Sequence, residues 1–106
     1  MIIVYTGKAR QDLRAVYDYI CFHLLSPDTA KETTNRIMKA VRALDTMPER
    51  NPLYKEEPWH SQGVRFFAVR NYLVFYIVDR EADVVSVIRI MYGGRNISDQ
   101  LNETAE

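Results

Sequence analysis

Apolar positions along the chain change period several times, and each change marks a different element. Ile2, Ile3, Val4 and Tyr5 form an unbroken run of strand-favouring residues. Thr6 follows as a helix cap, ahead of a first turn containing Gly7 and Lys8. From Ala9 the apolar positions fall at 9, 13, 16, 17, 20 and 24, the steps of one helical face, with Arg10, Asp12, Arg14 and Asp18 between them. This predicts an amphipathic helix of about five turns. Ser26-Pro27-Asp28 reads as a second helix start, with Ser26 as cap acceptor, Pro27 at the first helical position and Asp28 near the positive end of the dipole. Ala30, Thr34, Ile37, Met38, Val41 and Leu44 carry the face of that helix to Met47, and Pro48 stops it. So short a turn between two such helices predicts a long antiparallel helical hairpin.

Residues 48–63 hold three of the four prolines together with Trp59 and His60, and they show no period. They read as an irregular connector, tied down by Leu53, Tyr54 and Trp59. Beyond it, residues 64–95 contain three apolar runs divided by Arg70-Asn71 and by Asp79-Arg80-Glu81-Ala82-Asp83. Short polar breaks of this kind join antiparallel neighbours, so the stretch predicts a three-stranded meander. The N-terminal strand is expected to join that sheet, and residues 96–101 to form one short terminal helix. The fold class is α+β, and 106 residues suffice for one domain, 1–106, and hardly for a second core.

Composition excludes several functions. With 14 basic and 14 acidic residues the formal net charge is zero, so no global field draws the chain onto nucleic acid or an anionic membrane. Any basic site has to be local. Cys21 is the single cysteine, which excludes an intrachain disulfide and a cysteine cluster for zinc and suits a reducing cytoplasm. No apolar run approaches the roughly 18 residues of a membrane span, and the opening residues lack the basic leader of a signal peptide. The expectation is a cytoplasmic protein with no membrane, metal or cofactor.

The local charge lies in the sheet. Five arginines fall within residues 64–95, and the acids there, Asp79, Glu81 and Asp83, sit in one turn. Arg65 and Arg89 lie inside strands, where a guanidinium fork serves a phosphate or a carboxylate equally well. Arg70 belongs to a turn and reads as solvating it. Arg95 follows Gly93-Gly94, a pair that lets the backbone turn sharply and set the guanidinium at a strand end. Tyr92 is open to two readings, a packed edge aromatic or a ligand-facing hydroxyl. His60 has the right pKa range for acid–base work but reads as a solvated loop residue, whereas His23 and Cys21 read as structural.

In this order and with these local patterns the chain resembles the RelE/ParE superfamily of toxins from bacterial type II toxin–antitoxin, or plasmid-stabilisation, systems. Ala9, Asp12, Leu13, Val16, Tyr19 and Ile20 follow the family's A-x-x-D-L-x-x-I-x-x-Y-I cadence. Gly63-Val64-Arg65 follows its G-V-R, and residues 71–76 resemble its N-Y-R-I-x-Y strand. Residues 89–97 resemble its R-I-x-H-G-R-R-D-I ending. The resemblance implies a small sheet with a helical hairpin on one face, and a toxin that a cognate antitoxin wraps and silences.

Two toxin activities are implied, with different chemistry. One is ribosome-dependent cleavage of messenger RNA, a metal-independent endoribonuclease reaction in which the ribose 2′-hydroxyl attacks the scissile phosphate. The extra negative charge on that phosphate calls for cations, and the resemblance assigns Arg65, Arg89, Tyr92 and Arg95 as catalytic residues for this case. The other is ParE-like poisoning of DNA gyrase, which needs no phosphate-cleaving constellation. Leu73 stands where the N-Y-R-I pattern has arginine, and Tyr92 stands where the ending has histidine. Gly94 replaces the first of its two arginines. These departures and the long hairpin favour the gyrase poison over the endoribonuclease. A third reading is a non-toxic relic that retains antitoxin binding.

Overall fold

The computed structural model describes residues 1–94 and 97–104 of the chain. Strand β1 (Ile2–Tyr5) leads into helix α1 (Gly7–Asp18), and α2 (Pro27–Arg42) returns antiparallel beside it. Strands β2 (Val64–Val69), β3 (Tyr72–Asp79) and β4 (Val84–Tyr92) follow, and α3 (Ile97–Thr104) closes the described chain. The four strands form one sheet in the order β1-β4-β3-β2. The meander is antiparallel, as its polar breaks predict, and β1 adds parallel to β4 through Ile2↔Val84 to Tyr5↔Val87.

Alternation along the strands sends side chains to two separate cores. On one face Val74, Tyr76, Val85, Val87 and Ile90 meet Ala9, Val16 and Ile20 of the first helical segment and Ala30, Ile37 and Val41 of α2. Burying an aliphatic side chain of this kind contributes about 1.5–3 kcal/mol, so this face supplies most of the reason the hairpin stays docked. On the other face Phe75, Val64 and Met91 are covered by Trp59 from the connector and Leu101 from α3. The connector is therefore long because it must cross a sheet face. It also seals an edge: Leu53 bridges Arg65, the Tyr54 amide donates to the Val64 carbonyl at 2.7 Å, and the Phe66 amide donates to Pro52 at 3.1 Å. Gly63, with φ of 80°, supplies the left-handed turn into β2 that a residue with a Cβ adopts only under strain.

Several boundaries differ from the sequence expectation. The first helix does not run straight to residue 24, because a π-helical turn over Tyr19–His23 widens its end. That turn shifts the phase, and Leu24 becomes exposed, as is Tyr17 on the flank of α1. Ser26 precedes α2 but does not cap it through its side chain, since its hydroxyl donates to Thr29 Oγ1 at 2.7 Å. The second helix ends at Arg42 and passes through a 3₁₀ turn (Ala43–Asp45) before Met47. Leu25 and Met47 both take left-handed backbone angles, at φ 52° and 51°, at helix ends where glycine is the usual choice. The terminal helix runs from Ile97 to Thr104, three residues past its predicted end.

Candidate functional site

Arg65 and Arg89, two of the four residues expected to be catalytic in the ribonuclease case, make separate sets of contacts. Arg65 lies opposite Tyr76, on the hairpin side of the sheet. Its Nη1 donates to the carbonyls of Asn51 at 2.7 Å and Glu49 at 3.1 Å, which fastens the start of the connector. The same segment is held by Tyr76, whose buried hydroxyl donates to the Pro48 carbonyl at 2.5 Å and accepts from Asn51 Nδ2 at 3.1 Å. Burial pushes the Tyr76 phenol above its ordinary value, opposed by the Asn51 bond and by the Arg65 and Arg50 charges.

Arg89 lies opposite Phe75, on the other side of the sheet and two strands away. Here a β-bulge, between Phe75↔Arg89 and Tyr76↔Val87, leaves Ile88 as the extra residue. Strand β1 has ended at Tyr5, so the β4 edge beyond Val87 is open to α1. Asp12 occupies that edge. Its Oδ2 accepts from Arg89 Nε at 2.7 Å and from the Ile90 amide at 2.9 Å, and its Oδ1 accepts from Arg89 Nη2 at 3.1 Å. Arg89 Nη1 also donates to the Gln100 carbonyl of α3 at 3.0 Å. With only 8% of its surface exposed, Arg89 ties α1, β4 and α3 together.

Arg70 sits at φ 54° in the two-residue turn between β2 and β3, and its Nη2 lies 2.5 Å from Glu32 Oε1 on α2. Glu32 also takes Arg36 at 3.3 Å. On the other side of the turn the Asn71 carbonyl accepts from the Gly93 amide at 2.8 Å. The turn is thus held to both α2 and the end of β4. Arg95 lies outside the described residues. His60 is exposed, with Nδ1 3.1 Å from the Tyr54 carbonyl oxygen, and Cys21 is half-buried.

What the fold does bring together is a groove of about 940 Å³ between the end of the hairpin and the β2–β3 turn. Tyr19, His23, Arg70, Asn71, Tyr72 and Tyr92 line it, above Asp12 and Ile90. The Tyr19 and His23 rings stack with centroids 5.4 Å apart, and Tyr72 meets Tyr92 edge-on at 6.0 Å. Burial, with the neighbouring Tyr19 and Tyr92 phenols, raises the Tyr72 pKa above the ordinary phenol value. The Tyr72 hydroxyl therefore keeps its proton at neutral pH. Leu24 also lines the groove and is exposed, as are Phe22 and Leu25 close to it in the chain, the last to 82%. Of this constellation the sequence points to Tyr92 alone as a candidate ligand-facing group, and it reads Arg70 as solvating its turn. His23 read as structural, and no periodicity ties Tyr19 to Tyr72 across the chain. Among the described residues no group of three or more His, Cys, Asp or Glu side chains is placed to hold a metal ion, and no helix is long and apolar enough to cross a membrane.

A sheet of this order, with a helical hairpin on one face and a short terminal helix on the other, is the RelE/ParE-like fold that the sequence led us to expect. The chain belongs to the ParE toxin family of type II toxin–antitoxin systems (parDE), whose family model matches residues 3–97. The chromosomal ParDE system from P. aeruginosa contains a chain similar to this one, at 24% identity and a TM-score of 0.71, covering 87% of this chain and 95% of that one. The isolated E. coli RelE toxin is similar at 18% identity and a TM-score of 0.60, covering 98% and 96%. A chain of the RelBE2 toxin–antitoxin complex from Mycobacterium tuberculosis is similar at 22% identity and a TM-score of 0.57, covering 86% and 88%. No curated protein matches the sequence. The protein is a type II toxin.

Proposed function

We propose that this toxin arrests growth by binding and poisoning DNA gyrase, acting in the cytoplasm, and that a cognate antitoxin neutralises it. The observation that carries the reading is the engagement of the sheet arginines. Arg65 serves the Glu49 and Asn51 carbonyls, and Arg89 serves Asp12 and Gln100, on opposite sides of the sheet. Phosphoryl chemistry on RNA needs cations converging on one scissile group, and two arginines committed to separate packing tasks do not converge. The groove offers tyrosines, a histidine and one arginine, Arg70, already paired with Glu32, a lining that suits contact with a protein surface. The ParDE and RelBE neighbours come from toxin–antitoxin systems, which supports an antitoxin as the second partner.

The test is induction of the gene in a bacterial host, followed by assays on purified protein. The expected result is a halt in DNA replication before translation, inhibited supercoiling by purified gyrase, and no cleavage of messenger RNA on translating ribosomes. RNA cleavage that disappears in Arg95→Ala would establish the RelE-like endoribonuclease instead. Unimpaired growth would favour the relic that only binds antitoxin. Co-expression of the small gene adjacent to the toxin gene should restore growth.

A further inference from the structure

Two departures from the family ending, Tyr92 and Gly94, meet in space. A Cβ built on Gly94 falls 2.5 Å from Tyr92 Cε2, 3.2 Å from Cζ and 3.3 Å from Cδ2. Real Cβ atoms essentially never approach a ring so closely, so Tyr92 lies where it does because residue 94 has no side chain. The backbone alone does not demand glycine there, since Gly63 is the glycine with left-handed φ. Gly93 differs: its Cβ would stand 3.4 Å from the Asn71 carbonyl oxygen and 3.5 Å from Leu73 Cγ, ordinary contact distances. The Tyr92 ring is 48% exposed and can swing outward, so a methyl at position 94 displaces the ring and leaves the strand intact.

We infer that Gly94 is a positioning residue for Tyr92. It lets the ring fold back over the chain and hold its edge-on contact with Tyr72 at the end of the groove. Tyr92 is then the ring that meets the target. The two departures form one unit, in which a tyrosine at 92 requires a glycine at 94, and restoring the family arginine at 94 would eject the ring. This role of Tyr92 rests on the reading of the groove as the target-binding surface, whereas the geometric role of Gly94 does not.

Two measurements separate those claims. The first is an NMR spectrum of the purified toxin, read for cross-relaxation between the Tyr72 and Tyr92 ring protons. The cross-peak is expected in the parent and in Gly93→Ala, and lost in Gly94→Ala, with melting temperatures close to the parent's in all three. Its absence from the parent, or its survival in Gly94→Ala, overturns the positioning role. The second is a double-mutant cycle on binding to purified gyrase. Gly94→Ala and Tyr92→Ala should each weaken binding about two- to tenfold, the scale of one aromatic contact, and the double variant no more than Tyr92→Ala alone. Additive losses would show that Gly94 acts by another route. Gyrase binding absent from the parent would refute the target and the contact role of Tyr92, while the ring measurement still decides the positioning of Gly94.

Discussion

Replacing Asp12 by alanine should be among the most damaging single changes away from the apolar core. The carboxylate accepts three hydrogen bonds, two from Arg89 and one from the Ile90 amide, and both charged side chains are largely withdrawn from water. Breaking a buried ion pair from one side costs about 3–5 kcal/mol, because the remaining charge keeps its desolvation penalty. Asp12 retains 16% side-chain exposure and Arg89 keeps the Gln100 carbonyl, which places this case near the lower end, at about 3 kcal/mol. For a chain of this length about 1 kcal/mol moves the midpoint by some 4–5 °C, so Asp12→Ala should melt about 12–15 °C below the parent. Arg89→Met should cost less, because Asp12 still takes the Ile90 amide and its carboxylate reaches solvent. The double variant should be less unstable than the sum of the singles by about 1 kcal/mol or more, the sign of a direct pair. Thermal denaturation followed by circular dichroism measures all three. A midpoint within about 4 °C of the parent for Asp12→Ala would refute the assignment of Arg89 to packing and return it to the pool of available cations.

Further outcomes follow from the same contacts. Burial raises the Tyr76 and Tyr72 phenols above the unfolded value of about 10, so the native state holds protons that the unfolded chain has released. Their contribution to stability is complete below about pH 10 and is lost as pH rises through the folded values, so urea midpoints should fall as pH rises above about 10 and fall less steeply in Tyr76→Phe. At neutral pH Tyr76→Phe should itself cost about 1–2 kcal/mol, from its bonds to Pro48 and Asn51. Arg65→Ala should cost about 1.5–3 kcal/mol and speed proteolytic nicking of the connector, without the complete loss of toxicity expected of a catalytic cation. Glu32→Ala, which removes an exposed partner of Arg70 and Arg36, should change the urea-derived stability by about 1 kcal/mol or less. Ile37→Ala, at a fully buried α2 position against the sheet, should cost about 2–5 kcal/mol by the same measurement.

The elements were legible because their periods are local. Helical spacing at Ala30, Thr34, Ile37 and Val41 and unbroken apolar runs in the strands record which face each element buries, and the structure buries those residues. The phase of the first helix was legible only as far as Ile20. Beyond it the π-helical turn adds a residue to the turn, a change that no propensity at Tyr19–His23 announces. Polar pairings were hidden for a different reason: Asp12 and Arg89 are 77 positions apart, and an aspartate on the polar side of an amphipathic pattern looks the same whether it meets water or a strand edge.

That hidden pairing alters what an arginine in a strand signifies. A cation in an apolar strand looks like a functional investment because a packed sheet has no need of charge. This sheet does need it, since its shortest strand stops at Tyr5 and leaves the β4 edge beyond Val87 without a backbone neighbour. Asp12 answers the Ile90 amide there, and a nearly buried carboxylate needs a counter-charge, which Arg89 supplies. On the opposite edge the same logic assigns Arg65, whose guanidinium gathers connector carbonyls where β2 has no further strand. Both arginines are thus explained by where strands end. On the proposed reading the functional signal lies instead in the groove, with the exposed Tyr92 ring and the glycine kept bare beneath it.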